Sequence, residues 1–226
     1  LGYYNCMQYI NAHCHDFIKA PNVVGAIVNA AQESDWERIL KLQSENVYAA
    51  IGIHPWYVSN AGDNWQQELT DLLIQNQNAL VGETGLDTTR ESIDMQMAFF
   101  VGHLQIATKL QRGICIHCVH AWDKILHIFK TEPLPPVILL HGFAGTPETI
   151  KQMPDNVYFS YGHDILNNDK AIRRITATPT TRILVESDDF APDILPDLVK
   201  KIAEIKNIDI SLYEFISIIK FLQKKI

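Results

Sequence analysis

The sequence predicts an α/β fold: a single (β/α)8 TIM-like barrel in which the first helix is missing or reduced. Three observations predict it. Eight short apolar runs alternate with helical patterns, several of these runs are apolar without alternation, and most end in ionisable side chains. Unbroken apolar runs such as Val137-Ile138-Leu139-Leu140 are what parallel strands buried on both faces require. A chain of 226 residues has the length of one such barrel. The barrel is expected to take the whole chain, 1–226, with residues 1–6 as an N-terminal extension ahead of Met7.

The strands are expected at Gln8–His15, Val23–Ala30, Val47–His54, Ala79–Asp87, Gly113–Val119, Pro136–His141, Val157–Tyr161 and Arg182–Glu186. Seven residues, Asp16 to Asn22, separate the first two. A parallel crossover that carries a helix needs about a dozen or more, so the first helix is absent or a loop. The remaining helices are expected at Glu33–Glu45, Asn64–Gln75, Met95–Leu110, Trp122–Lys130, Pro147–Met153, Asp169–Thr176, Ile194–Ile205 and Leu212–Gln223. Asn64–Gln75 shows the pattern well, with Trp65, Leu69, Leu72 and Leu73 on one stripe. Thr146-Pro147-Glu148 is a helix start, the hydroxyl capping and the proline entering the first turn.

Composition narrows the function. Apolar residues at 47% support a sizeable core, and no apolar run approaches the roughly 18 residues of a membrane helix. A net charge of −7 opposes a strong, sequence-blind grip on long nucleic acid. Cys6, Cys14, Cys115 and Cys118 are too few and too oddly placed for a disulfide scaffold, and Leu1–Ile10 lacks the pattern of a signal peptide. A cytoplasmic protein is expected. Cys115 and Cys118 form a C-x-x-C without a second pair, and both read as buried small hydrophobes.

The ionisable strand ends are His13 and His15, His54, Glu83 with Asp87, His117, His141, and Glu186 with Asp188. In a parallel barrel every strand's C-terminal end opens on one face, so residues distant in sequence converge there. Imidazoles and carboxylates gathered in this way form a metal site. His13 and His15, at i and i+2 of a strand, share a face about 7 Å apart at the backbone. They can grip one ion or form a hydrogen-bonded core pair. Glu83 lies between Gly82 and Gly85, which let the backbone approach whatever it holds. Its two oxygens can bridge cations about 3.5–4 Å apart. Asp188 can bind a metal and accept a proton from water, with Asp189 as a substitute, and Glu186 suits the orienting of a ligand histidine.

In order, Asn11-Ala12-His13-Cys14-His15, Gly52-Ile53-His54-Pro55, Gly82-Glu83-Thr84-Gly85-Leu86-Asp87, Ile116-His117, His141-Gly142-Phe143-Ala144-Gly145, Ser160-Tyr161-Gly162 and Glu186-Ser187-Asp188 resemble the TatD family of metal-dependent hydrolases, within the amidohydrolase superfamily. The resemblance runs from about residue 8 to 190 and is closest to a shorter bacterial branch. It implies a divalent-metal-dependent hydrolase of phosphoester bonds, deoxyribonuclease- or phosphodiesterase-like. By the same resemblance His13, His15 and Asp188 hold one ion and His117 and His141 another, with Glu83 shared. Zinc, manganese, magnesium, iron and nickel are not distinguished. The resemblance further implies that Asp188 and Glu83 are catalytic and that His54 lines the phosphate pocket. His120 and His163 are additional candidates for orienting substrate. The substrate would be a phosphoester, such as a DNA end or short nucleotide; no membrane contact is expected and no protein partner is indicated.

Three departures stand out: Asn11 where the family usually has Asp, Val119 where many members have Arg, and a C-terminus without the usual Asn-containing ending. An amide at position 11 is expected to weaken the first metal site. Two other functions compete with a phosphoesterase. An amidohydrolase cleaving a small amide, ester or lactone often has a carboxylated Lys at the fourth strand, where this chain has Glu83. A non-catalytic barrel used for binding would not need all six presumed ligands.

Overall fold

Eight parallel strands carry the chain around one sheet, in the order in which they occur: β1 (Tyr9–Cys14), β2 (Val23–Asn29), β3 (Val47–Ile51), β4 (Leu80–Asp87), β5 (Ile114–Val119), β6 (Ile138–Leu140), β7 (Val157–Tyr161) and β8 (Ile183–Val185). This computed structural model describes residues 7–90 and 92–209. The expected extension, 1–6, and the expected last helix, Leu212–Gln223, lie outside the described residues. Helices follow the strands as α1 (Trp36–Leu40), α2 (Trp65–Gln75), α3 (Ile93–Lys109), α4 (Trp122–Thr131), α5 (Pro147–Gln152), α6 (Asp169–Ala177) and α7 (Leu195–Lys206). Between β1 and β2 there is no helix, as the short spacing predicts.

The one marked shortening is after β2. A helix over Glu33–Glu45 is expected, but a 3-10 turn at Glu33–Asp35 leads into the five residues of α1. The Asp35 carboxylate accepts from the Ala31 and Gln32 amides, which fixes the start. Past Leu40 the Gln43 side chain donates back to the Leu40 carbonyl, and Ser44 N–H turns to Val47. Polar side chains compete with the helix there.

Each strand contributes to an inner cluster that fills the barrel: Ala12, Ile27, Ala50, Leu80, Cys115, Leu139, Tyr158 and Leu184. A larger outer cluster packs the other strand faces against the helices. In β1 and β4 the inward alternation breaks. The register slips between Asn11 and Cys14 on β1 and between Val81 and Thr84 on β4. Each slip is a bulge, which re-aims the side chains beyond it. Ala12 can thus belong to the inner cluster while His13, its neighbour, also faces the centre.

β8 meets β1 through a short seam. The Asp188 amide donates to the His13 carbonyl at 3.0 Å, beside a single bridge pairing Cys14 with Asp188. The buried Asn11 side chain completes it: Nδ2 donates to Ser187 Oγ at 2.7 Å, and Oδ1 accepts from the Ser187 amide at 2.9 Å. Both polar atoms of Asn11 are thereby committed to closure of the sheet.

Away from the sheet mouth, α3 presents a fully buried histidine. His103 Nδ1–H donates to the Phe99 carbonyl at 2.7 Å, Nε2 accepts from the Ile53 amide at 3.1 Å, and the ring stacks on Trp65. Burial pushes its pKa from 6.5 down to about 4, against the opposing pull of the Phe99 carbonyl. The folded protein therefore binds this proton only near pH 4, whereas the unfolded chain binds it from about 6.5. Its contribution to stability is complete above pH 6.5 and declines by up to about 3 kcal/mol as the pH falls to 4. His103→Gln, with one amide donor and one acceptor, should flatten the fall in the urea midpoint between pH 7 and 4.5 relative to wild type. An equally steep fall in both proteins would assign the acid sensitivity to other groups.

The three described cysteines, Cys14, Cys115 and Cys118, are free and buried. Burial raises all three thiols, Cys14 and Cys118 to about 12, which leaves them unreactive as thiolates at neutral pH.

Candidate metal centre

Glu83 lies within β4, buried, with an imidazole on almost every side. Its Oε1 is 2.7 Å from His141 Nε2, 3.1 Å from His117 Nδ1 and 3.5 Å from His54 Nε2. Its Oε2 is 3.4 Å from His13 Nε2 and 3.5 Å from His15 Nε2. Asp188 Oδ1 stands 3.6 Å from each of these last two nitrogens. The two oxygens of one carboxylate thus face two different sets of donors. The structure brings His13, His15, Glu83, His117, His141 and Asp188 to a single place at the C-terminal ends of β1, β4, β5, β6 and β8.

The glycines around Glu83 are required by the sheet. Gly82 has φ of +132°, and a Cβ there would lie 2.6 Å from the Cys115 carbonyl oxygen. Gly85 has φ of +143°, and a Cβ would collide with the His117 carbonyl. Both positions demand glycine because β4 presses its backbone onto β5.

The polar groups behind three of the rings match the nitrogen that each ring turns to the centre. His15 Nδ1–H donates to the Asn29 carbonyl at 3.1 Å, leaving the Nε2 lone pair toward Glu83 and Asp188. His141 Nδ1 faces Glu186 Oε1 at 3.5 Å, with Nε2 on Glu83. Glu186 is itself held by the Gly142 amide at 2.8 Å and the Ser160 hydroxyl. His117 Nε2 looks toward Asp87 Oδ2 at 3.8 Å, leaving Nδ1 for Glu83. Carboxylate or carbonyl behind, imidazole between and a cation in front is the usual order in metal sites.

His54 differs. Its Nδ1 accepts from the Trp56 amide at 3.2 Å. Burial depresses its pKa to about 3 against the attraction of Glu83, so the ring is neutral and the proton sits on Nε2. A neutral imidazole protonated on the nitrogen that faces the centre is a hydrogen-bond donor there, not a ligand. Its proximity to Glu83 and His117 therefore does not make it a third member of a metal triad.

Electrostatics match the crowding. Burial alone would raise the Glu83 carboxyl, but the nearby His141 and His13 and the hydrogen bond from His117 hold it well below the carboxylate range. Burial likewise opposes charge on His141, yet Glu83 and Glu186 drive its pKa well above the ordinary histidine value. Glu186 is lowered despite its burial, chiefly by His141. His141 thus stands between two carboxylates, with Nε2 toward Glu83 and Nδ1 toward Glu186, and both favour its charged form.

The donor set fits divalent cations. His13 is fully buried, and its Nε2, aimed at Glu83 and Asp188, has no hydrogen-bond partner. An orphaned buried nitrogen is costly unless it has a ligand role. Bonds of about 2.0–2.2 Å to one ion at tetrahedral angles would place neighbouring donors about 3.3–3.6 Å apart, and His13 and His15 stand 3.4–3.6 Å from Glu83 Oε2 and Asp188 Oδ1. His13, His15 and Asp188 form one group capable of holding an ion, and His13, Glu83 and His141 another.

The site opens into a cavity of about 280 Å³, lined by His54, Trp56, Tyr57 and Asp189 in addition to His15, Glu83, His117, His141 and Asp188. The expected substrate contacts divide. His54 lines the cavity, whereas His120 and His163 do not. His120 follows the end of β5 in a left-handed turn, φ 52°, which carries its side chain to solvent. His163 is exposed and stacks flat on Phe190, ring centroids 4.5 Å apart. Sequence reasoning missed Trp56 and Tyr57 as wall residues and Asp87 as the group behind His117. An aromatic pair directly after His54-Pro55 was the available clue for the first two.

Comparison with known proteins agrees with this geometry. Residues 12–220 match the family described as TatD related DNase. The chain is 30% identical over 176 residues to the human 3'-5' RNA nuclease TATDN2, covering 74% of this chain but 22% of that protein's length. It is 25% identical over 185 residues to the 3'-5' ssDNA/RNA exonuclease TatD of Escherichia coli, covering 78% of this chain and 70% of the relative. Over 211 residues it is 27% identical to the metal-dependent hydrolase YjjV of the same bacterium, covering 83% of this chain and 80% of the relative. The crystal structure of YjjV superimposes with a TM-score of 0.85 at 21% identity, over 93% of this chain and 95% of that one.

Proposed function

Because this chain belongs to the TatD related DNase family of metal-dependent hydrolases, we propose that its cavity cleaves phosphodiester bonds at the ends of DNA or in short nucleotides, using two divalent ions. The observation that carries the reading is the split of Glu83. Its Oε2 faces His13 and His15, and its Oε1 faces His117 and His141. His13, His15 and Asp188 would hold one ion and His117 and His141 the other, with Glu83 common to both. When bound, such ions acidify water and neutralise charge on a phosphoryl oxygen.

The protein's own residues do the rest. Asp188, half-buried at the cavity edge, accepts the proton released by the attacking water. His54 offers its Nε2–H to a phosphate oxygen from the cavity wall. Glu186 and Asp87 keep His141 and His117 turned so that the correct nitrogen faces inward. Among the described residues three carboxylates, Glu83, Asp188 and Asp189, and no Lys or Arg line the cavity, so a phosphate is acceptable there only once cations offset that negative charge.

The test is a hydrolysis screen of the metal-loaded protein on a chromogenic phosphodiester, a phosphomonoester, single-stranded DNA and a simple ester. Phosphodiester and DNA cleavage that disappears on chelation and returns with divalent metal is expected. Turnover of the ester alone would transfer the chain to the carboxylic-ester and amide branch of the superfamily.

A further inference from the structure

We propose that Trp56, with Arg90 above it, is a stacking subsite for the nucleobase next to the scissile phosphate. This rests on the nuclease reading of the cavity and adds the part of the substrate that the metal centre does not touch. Trp56 lines the cavity yet remains 47% exposed, one of the few large apolar side chains left open. It is also fixed. Its indole Nε1–H donates to Asp87 Oδ2 at 2.6 Å, and its ring meets His54 edge-on at 5.2 Å between centroids. An exposed tryptophan held rigid at a pocket lip loses little entropy when a flat ligand covers it.

The size of the cavity points the same way. A volume of about 280 Å³ is at the low end for small-molecule sites and accepts a phosphate with its sugar. The base attached to that sugar must lie on the rim, where Trp56 stands. The Arg90 guanidinium sits 4.1 Å from the indole centroid, and the exposure of Trp56 is what remains with Arg90 in place. The guanidinium extends the flat surface and brings a positive charge to a rim that otherwise carries Asp188 and Asp189. Since the described residues of the cavity wall include no Lys or Arg to track a phosphate backbone, the bases add grip on a strand beyond that of the metal centre. Stacking supplies it with tolerance for base identity, every base having a π-face.

Calorimetric binding of thymidine 5′-monophosphate and of 2-deoxyribose 5-phosphate to the metal-loaded protein isolates the base, since the two probes share phosphate and sugar. Wild type should prefer the nucleotide by roughly 5- to 150-fold, the range for one stacked base. In Trp56→Ala that preference should collapse toward unity. In Trp56→Phe, which keeps a ring but loses the bond to Asp87, most of it should survive. No preference in wild type, an undiminished preference in the alanine variant, or equal loss in both variants would overturn the subsite; the last would reassign Trp56 to holding Asp87. Cleavage of a single-stranded oligonucleotide by the same preparation tests the nuclease reading separately. Absence of cleavage with the base preference intact would remove the enzyme assignment and leave the subsite standing.

Discussion

Replacing Glu83 with alanine should lower phosphodiester turnover by about a thousandfold or more and reduce bound metal to at most one ion per chain. The reason lies in how many partners one carboxylate serves. Five imidazole nitrogens approach its two oxygens within 3.5 Å, so its loss removes the carboxylate that both sets of histidines face. The fold should survive, because Glu83 packs in no hydrophobic cluster and His141 can relax to its neutral form once its anionic partner is gone. Glu83→Gln separates charge from shape: it fills the same space and should be equally inactive. The measurements are steady-state rates, metal content by elemental analysis and far-UV circular dichroism. A glutamine variant with full metal content and near-native rates would show that the carboxylate does not bridge.

The second large effect is expected from Asp188→Asn, a fall in kcat of about 10²- to 10⁴-fold with stability within roughly 0.5 kcal/mol of wild type. Asp188 has φ of 51°, a left-handed conformation that asparagine tolerates nearly as well as aspartate, so the backbone should not object. What disappears is the negative charge 3.6 Å from His13 and His15 and the capacity to take a proton. Asp189, which lines the cavity without comparable contacts to either histidine, is the control. Asp189→Asn should stay within roughly tenfold of wild type, as expected for a residue that neither binds metal nor transfers the proton. The reverse ranking would exchange the two assignments.

Much of this arrangement was legible in the chain because parallel barrels translate strand ends into one surface. An apolar run that stops at His117, another that stops at His141 and a third that stops short of Asp188 locate three ligand candidates with no knowledge of pairing. The helices after β3, β4 and β5 were visible for the same local reason, in their apolar stripes. What depended on distant contacts was not visible. The bulges in β1 and β4 arise from registry with neighbouring strands, and so Ala12 and His13 facing the same interior could not be foreseen. Asp87 contacts Trp56 across 31 positions of sequence, and its partnership with His117 likewise exists only once β4 lies beside β5. Asn11 is the plainest case. Its residue type invited a comparison with a carboxylate near the metal, while its side chain is spent on Ser187, 176 positions away.

That long-range clasp has a temporal consequence. Ser187 and Asp188 are adjacent, and the same few atoms that fasten the final strand to the first also deliver Asp188 to its two histidines. During synthesis or refolding, every earlier strand can be in place while the centre still lacks one of its carboxylates. Catalytic competence should therefore be the last property to emerge, later than secondary structure and burial of the helices, and its onset would time the shutting of the ring.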